Sequence, residues 1–239
     1  MKTILVPEVA QVHYETITNG RQVNADYAEV CHGACALAVT ITDGVDDDYD
    51  AGEVAQIAAQ VSAVITATTC DPVEGLRMAK QYVDDRNALA PRLQEGTCTA
   101  TVAAIRSGSI SLAWRGDSPA WGVGHDGTVV GLTDPSCHPC RTPCNVSEHH
   151  GADTEPHRRS VDVDAYARLI IASDGLTAHL RGAARRDHVT AMLPFLTHQA
   201  APRLDGPYVL AALLEMARDG GGRDNTTIAV IDLHDRATS

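Results

Sequence analysis

The chain has 239 residues, a formal net charge of −12 and a sequence pI near 5.2, and 44% of its residues are apolar. The acidic balance argues against nucleic acid as a partner, because binding to a phosphate backbone needs clustered Lys and Arg. The apolar stretches fall short of the ~20 residues of a membrane span, and the N-terminus lacks the pattern of a secretory signal. We therefore expect a soluble cytoplasmic protein without a membrane partner.

No linker-like segment divides the chain, so we predict a single domain over residues 1–239. The seven cysteines are an odd number in a chain without an export signal, and we expect reduced thiols rather than a disulfide framework. Cys35 begins an apolar strand, so Cys31 and Cys35 are expected to pack as small hydrophobic side chains.

The first part of the chain predicts two strands followed by two helices. Apolar residues recur at helical spacing after residue 51, which indicates an amphipathic helix. The tetrapeptide Asp71-Pro72-Val73-Glu74 then supplies an N-cap, a proline at the first helical position and an acid at the third. The predicted elements are strands at 28–30 and 36–42, and helices from Ala51 to about Ala67 and from Pro72 to about Leu89.

The rest of the chain predicts further strands, an irregular segment and a helical region. Short strands separated by glycine-containing turns indicate a β-meander, and the Cys/His-rich residues 134–164 indicate a loop or a small irregular subdomain. Helix pairs between groups of antiparallel strands predict an α+β fold, a four-layer αββα sandwich of two antiparallel sheets flanked by helices. The predicted elements are strands at 97–106, 109–115, 119–124, 128–132 and 167–173, two or three helices between Leu176 and Arg218, and a last strand from Thr226 to Leu233.

Four aspartates stand at the edges of apolar strands: Asp43, Asp117, Asp174 and Asp224. One such aspartate is more often a turn former or a helix cap than a metal ligand. If the strands belong to one sandwich, however, their ends can bring the carboxylates to a common mouth, where oxygen ligands select Mg²⁺ or Mn²⁺. The repetition therefore favours a metal site over four unrelated turns.

Seven short motifs follow one another between residues 15 and 233: RQVNAD (21–26), TDGV (42–45), GTCTATVAAI (96–105), WRGDS (114–118), LTDPS (132–136), ASDGL (172–176) and GGRDNTTIAVIDL (221–233). In this order they resemble the motifs of metal-dependent serine/threonine protein phosphatases of type 2C, and the bacterial branch is the most similar. Each motif alone is weak, but seven in order are highly specific.

The resemblance implies a set of metal ligands. Asp43 would bridge two metal ions, and the carbonyl group of Gly44 would bind the first of them. Asp174 and Asp224 would bind the second ion, while Asp117 matches the position that some members use for a third, weaker ion. The implied cofactors are Mn²⁺ or Mg²⁺.

The resemblance also implies a reaction and its partners. Asp26 would hold metal-bound water, and Arg21 would receive the substrate phosphate through a forked contact. The implied activity is hydrolysis of phosphoserine and phosphothreonine by a hydroxide that bridges the two ions. The implied partners are a phosphorylated protein substrate and a bacterial serine/threonine kinase.

Three positions depart from the family pattern. Ala25 stands where an acid usually accompanies Asp26, which removes a second-shell acceptor for metal-bound water. Asp46 stands where glycine is usual, and Pro119 stands where arginine is usual. The acidic run from Asp46 to Asp50 is expected to be a solvated loop at the start of a helix, where negative charge is favourable.

A fourth departure is the segment at about 134–164, which stands in place of the usual helical flap. Cys137, Cys140 and Cys144 have spacings that a zinc site could use, with His149 or His150 nearby. A polar loop with reduced thiols is the simpler interpretation, and a redox pair of Cys137 with Cys140 is a further alternative.

The main alternative to an enzyme is a non-catalytic module of the same fold that binds a partner without hydrolysing it. Ala25, Asp46 and the altered flap favour this alternative, whereas the presence of every expected direct metal ligand favours the phosphatase. No cysteine is followed by arginine six positions later, which excludes a cysteine-dependent phosphatase. The chain also lacks a Gly-x-Ser-x-Gly elbow and a Gly-x-x-x-x-Gly-Lys phosphate loop, which excludes the enzyme classes that use them.

Overall fold

The structure is a computed structural model that describes residues 1–6, 9–45, 49–89, 96–134, 155–180 and 188–234. These ranges contain strands β1 (Lys2–Val6), β2 (Ala10–Ile17), β3 (Asp26–His32), β4 (Leu37–Gly44), β5 (Cys98–Arg106), β6 (Ser109–Arg115), β7 (Ala120–Val123), β8 (Val129–Gly131), β9 (His157–Val161), β10 (Arg168–Ala172) and β11 (Thr226–Leu233), and helices α1 (Tyr49–Thr69), α2 (Pro72–Leu89), α3 (His188–Ala191), α4 (Leu193–Gln199) and α5 (Gly206–Asp219).

The strands form two antiparallel sheets that pack face to face. The six-stranded sheet has the order β1-β2-β11-β10-β7-β8, and the five-stranded sheet has the order β3-β4-β5-β6-β9. Helices α1 and α2 cover the outer face of the five-stranded sheet, and α4 and α5 cover that of the six-stranded sheet. The predicted α+β sandwich with four αββα layers is confirmed.

Strand β4 shows how the sequence divides between the layers. Because successive side chains of a strand point to opposite faces, Leu37, Val39 and Ile41 enter the core between the two sheets. Ala38 points outward and packs against alanines of α1. The small side chains on that face of α1 let the helix lie close to the sheet, and the hydroxyl group of Thr42 donates a hydrogen bond to the Ala55 carbonyl oxygen at 2.9 Å.

One prediction about the strands is wrong, and one hairpin is missing from the predictions. The strands between residues 97 and 132 are not one meander, because β5 and β6 belong to the five-stranded sheet and β7 and β8 to the other. The chain passes between the sheets around Gly116, whose φ of +91° is a conformation that glycine adopts without strain. The N-terminal hairpin of β1 and β2, which pairs with β11, was not predicted at all.

The prediction of an irregular segment at 134–164 is also partly wrong, because its residues His157–Val161 form β9 at the edge of the five-stranded sheet. Its apolar signal is weak: Val161 reaches the core and His157 stacks on Trp114, but Arg158 and Arg159 lie between them. An edge strand tolerates such polar residues because one of its sides has no neighbouring strand. The zinc and redox hypotheses for Cys137, Cys140 and Cys144 fall on residues outside the described ranges.

The expectation of reduced, buried thiols is wrong for Cys35. This residue lies exposed in the turn between β3 and β4 and forms a disulfide with Cys70, at the junction of α1 and α2. The backbone N–H groups of Cys35 and Ala36 both approach the carbonyl oxygen of Ala67 at 3.3 Å, so the turn rests on the end of α1. Cys31 is a partly buried free thiol, and Cys98 is a buried one.

None of the helices in the described part of the chain combines the length and apolar character that crossing a bilayer requires.

Removing the disulfide with the double substitution C35S/C70S should lower the free energy of unfolding by about 3 kcal/mol, because the bond closes a loop of intermediate length in the unfolded chain. The measurement is urea unfolding followed by tryptophan fluorescence. Dithiothreitol should lower the stability of the parent to that of the double variant and leave the variant itself unchanged. Equal stability of parent and variant in non-reducing buffer would contradict the prediction. The control is Cys31→Ser, which replaces a cysteine that forms no disulfide.

Candidate metal centre

The five-stranded sheet brings two carboxylates together at one end of the sandwich. Asp26 begins β3 and Asp43 is the last residue but one of β4, and the antiparallel register places them directly opposite each other. Paired residues of antiparallel strands have side chains only ~5 Å apart. The backbone ladder therefore fixes the proximity of these two acids.

The six-stranded sheet supplies two further aspartates at the same end. Asp174 follows β10, and Asp224 precedes β11, the antiparallel neighbour of β10. Gly175 is required in this arrangement, because a Cβ atom at that position would collide with the carbonyl oxygen of Asn225. The glycine therefore lets the turn that carries Asp174 pack closely on the loop that carries Asp224.

Hydrogen bonds join the two sheets at this end. The Ser173 hydroxyl group donates to Asp26 Oδ2 at 2.7 Å, and Asn225 Nδ2 donates to the Val23 carbonyl oxygen at 3.0 Å. The backbone N–H of Asn225 also donates to Asp224 Oδ1 at 3.0 Å. The acids of the two sheets thus belong to one connected polar network.

Arg21 lies on the segment that follows β2, and its guanidinium group forms an ion pair with Asp224. The Nη2–Oδ1 distance is 3.1 Å, and about a third of each side chain is exposed. A solvent-accessible arginine at the mouth of an acidic site is placed to meet an anion. In this structure the Asp224 carboxylate is one of its partners.

Asp117 and Gly44 complete the set predicted from the sequence. Asp117 lies where the chain passes from β6 to β7, and its charge is one of those that raise the pKa of Asp43. A Cβ atom on Gly44 would lie 2.8 Å from the carbonyl oxygens of both Ala25 and Ala51, so only glycine fits there. All seven predicted site residues therefore come from segments that meet at one end of the sandwich.

Burial raises the pKa of Asp26 to about 6, against the stabilising hydrogen bond from Ser173. Burial also raises the pKa of Asp43 well above its ordinary range, and the neighbouring negative charges of Asp26, Asp117 and Asp224 add to the effect. Like-charged groups held this close disfavour one another's ionisation. The pKa shifts thus record first the burial of the two acids and second the crowding of their charges.

The donor set fits a divalent cation. The carboxylate and carbonyl oxygens are the ligands that Mg²⁺ and Mn²⁺ prefer, and Asp26 Oδ1 is a buried acceptor to which no N–H group of the described residues donates. As the side chains stand, no three His, Cys, Asp or Glu residues in the described ranges surround one point closely enough to hold an ion. The Asp224 carboxylate faces Arg21, and the Asp26 carboxylate faces Ser173. To bind a metal ion, Asp224 would have to release Arg21.

The positions that depart from the motifs of type 2C phosphatases lie in different surroundings. Ala25 is buried against Gly44, so position 25 contributes no carboxylate next to Asp26. Pro119 is buried, and its carbonyl oxygen accepts a hydrogen bond from Ala172 N at 3.0 Å. Asp46 lies outside the described residues. Asp50 lies in the first turn of α1 and is partly exposed, and it also forms an ion pair with Arg86 of α2 at 2.7 Å, which was not predicted.

The sequence did not single out Ser173, Thr227 or Ser118 as parts of the site. Ser173 was only the second letter of the ASDGL motif, and its partner Asp26 lies 147 positions earlier in the chain. Ser118 Oγ lies 2.8 Å from Thr99 Oγ1, beneath the turn that carries Asp117. Serine and threonine side chains are so common at turns that no local signal marks these three residues.

The fold is shared with solved bacterial serine/threonine phosphatases. The catalytic domain of PstP in complex with two manganese ions is 20% identical, with a TM-score of 0.73 over 95% of this chain and 99% of that chain. Stp1 of Staphylococcus aureus is 14% identical, with a TM-score of 0.74 over 93% and 94% of the two chains. The phosphatase MsPP of Mycobacterium smegmatis, in complex with cacodylate, is 22% identical, with a TM-score of 0.67 over 93% and 98%.

The sequence itself matches no family model and no curated protein. The structural likeness therefore establishes the fold, and the activity follows from the site as a proposal.

The substitution Asp26→Asn should stabilise the metal-stripped protein. The folded-state pKa of about 6 lies above the ordinary 3.8, so the folded parent binds more protons between these values and loses stability as the pH rises through them. In EDTA at pH 7, we expect D26N to exceed the parent in free energy of unfolding by roughly 1 to 3 kcal/mol, with no difference near pH 4.

Urea unfolding of D26N and its parent across this pH range checks the prediction. The control is Asp85→Asn, which changes an exposed carboxylate of α2 and should shift stability by less than about 0.5 kcal/mol. If the stability difference between D26N and the parent grew as the pH fell, the raised pKa of Asp26 would be contradicted.

Proposed function

We propose that the chain is a metal-dependent phosphoprotein phosphatase that hydrolyses phosphoserine and phosphothreonine, with Mn²⁺ or Mg²⁺ as cofactor. One observation carries the proposal: five aspartates from two different sheets meet at one end of a fold shared with solved serine/threonine phosphatases, and an arginine stands at their mouth. The acids are Asp26, Asp43, Asp117, Asp174 and Asp224.

The residues have separate tasks in this proposal. Asp43, the Gly44 carbonyl group, Asp174 and Asp224 would hold two ions, and Asp117 would hold a third, weaker one. Bound ions supply a nucleophile by lowering the pKa of water and neutralise the charge that develops on the phosphate. The rigid backbone ladder between β3 and β4 holds the acids in place for this purpose.

Arg21 and Asp26 act on the substrate side of the site. A guanidinium group offers two parallel N–H donors to a phosphate, and Arg21 is exposed enough to reach one once it leaves Asp224. Asp26 Oδ1 is a buried acceptor that can orient a water molecule by accepting its hydrogen bond. The chain thereby positions both the phosphate and the water that attacks it.

A non-catalytic binding module is the second candidate function. Ala25 favours it, because the buried position beside Asp26 lacks the acid that usually helps to hold metal-bound water. The two candidates share the fold and differ in whether phosphate is released, so one assay separates them.

We further propose a phosphorylated protein, including a serine/threonine kinase, as the partner, and the cytoplasm as the location. Support for the partner is the resemblance of the motifs. The exposed Cys35–Cys70 disulfide offers a check on the location, because cytosolic thiol systems keep such cysteines reduced. Alkylation of the protein inside cells followed by mass spectrometry measures that state.

Phosphate release from phosphoserine and phosphothreonine peptides and from p-nitrophenyl phosphate, with saturating Mn²⁺, tests the proposed activity. EDTA should abolish the release, and Asp43→Ala should lower kcat/KM at least ~100-fold, because it removes a direct ligand. If the parent releases no phosphate, or D43A equals it, the binding module becomes the better reading.

Arg21→Ala should raise KM by about 10- to 100-fold with a smaller effect on kcat, because it removes a charge-assisted contact to the phosphate. Steady-state kinetics on a phosphopeptide measure both constants. Arg223→Ala is the matched control, since it removes a positive charge from the loop beside Asp224 that has no assigned role. An equal rise in KM for both variants would show that only the overall charge matters.

A further inference from the structure

Ser173 is a fully buried serine at the point where β10 ends and the turn with Asp174 begins. It belongs to the six-stranded sheet, yet its side chain reaches an acid of the five-stranded sheet. The proposed function gives this residue no task.

The Ser173 hydroxyl group accepts one hydrogen bond and donates another. The backbone N–H of Thr227 donates to Ser173 Oγ at 2.9 Å, and Ser173 Oγ donates to Asp26 Oδ2 at 2.7 Å. A hydroxyl group has one hydrogen, so an acceptor role toward Thr227 leaves that hydrogen for Asp26. The backbone N–H of Ser173 also donates to the Thr227 carbonyl oxygen at 2.9 Å, which fixes the serine on β11.

This chain of donors determines the orientation of Asp26. Only 4% of the Asp26 residue is exposed, so its carboxylate is surrounded by protein atoms and cannot rotate freely in water. With Oδ2 held by Ser173, the second oxygen has a fixed direction. That oxygen, Oδ1, is buried and no N–H group of the described residues donates to it. The Asp43 carboxyl group, directly opposite on β4, lies close enough to share a hydrogen bond with Asp26 when one of the two acids is protonated.

We propose that Ser173 is a positioning residue for the metal centre: its hydroxyl group, anchored on the Thr227 N–H, fixes Asp26 so that Oδ1 faces the space where water must be held. The inference rests on the proposed function and deepens it. Because Ser173 directly precedes Asp174, the same residue also sets the distance between a metal ligand of one sheet and the water-holding acid of the other.

A purely structural role makes different predictions. Removing the hydroxyl group also takes an acceptor from the Thr227 N–H, so a loss of thermal stability is expected in either case. Only a positioning role makes the effect of Ser173 depend on the presence of Asp26. A double-mutant cycle measures this dependence directly.

The cycle uses the parent, S173A, D26A and the double variant S173A/D26A. Mn²⁺ affinity of the metal-stripped proteins is measured by electron paramagnetic resonance, and kcat and KM are measured on a phosphopeptide. We expect S173A to weaken Mn²⁺ binding and to lower kcat, each by about 10-fold, as for other residues that orient a metal ligand. KM should stay within about 2-fold, and the double variant should match D26A alone.

Ser62→Ala is the matched control. Ser62 is an equally buried serine of α1 that donates to the Ala58 carbonyl oxygen at 2.6 Å, with no contact to the acids described above. It should change the melting temperature without changing Mn²⁺ affinity. If S173A does not fold, S173T and S173V replace it, because they share one shape and differ in the hydroxyl group.

Independent effects of S173A and D26A, with the double variant showing their product, would overturn the inference, as would an equal loss of Mn²⁺ affinity in S62A. The proposed function fails separately, if a parent that binds Mn²⁺ releases no phosphate. In that event the Mn²⁺ affinities alone still decide whether Ser173 positions Asp26.

Discussion

The mutual repulsion of carboxylates at one end of the sandwich is the constraint on which the rest of the structure depends. The ladder between β3 and β4 holds Asp26 opposite Asp43, so the two acids cannot separate without breaking backbone hydrogen bonds. A like-charged pair at ~4 Å costs on the order of 4 kcal/mol at an effective dielectric constant of 20. The fold tolerates this cost because its main apolar core lies elsewhere, between the facing sides of the two sheets.

The neighbouring residues reduce this repulsion in ways that leave the acids usable. Arg21 neutralises Asp224 by a contact that water can reach, and Ser173 stabilises one oxygen of Asp26 through a neutral donor. Neither interaction is so strong that it would keep a divalent cation out. The proposed metal site thus stays acidic in a protein that folds without the ion.

Four of the five acids could be predicted from a local signal, an aspartate beside an apolar run, often with glycine. Asp26 carries no such signal and was predicted only from the resemblance of the motifs. The α+β sandwich could be predicted from local signals too, since the periods of β4, α1 and β11 are clear within a few residues. Contacts between distant residues could not be predicted. The pairing of Cys35 with Cys70 depends on how a turn rests on the end of α1, and β9 depends on an edge that accepts arginine.

Strand β4 connects two chemically different ends of the molecule. It begins at Leu37, two residues after Cys35, whose disulfide closes the turn at that end. It ends at Gly44, beside the acids. Its eight residues span about 25 Å, roughly three times the ~8 Å over which charges are felt at physiological salt. A charge added to or removed from the exposed far turn should therefore have little effect on the acids at the opposite end of the strand.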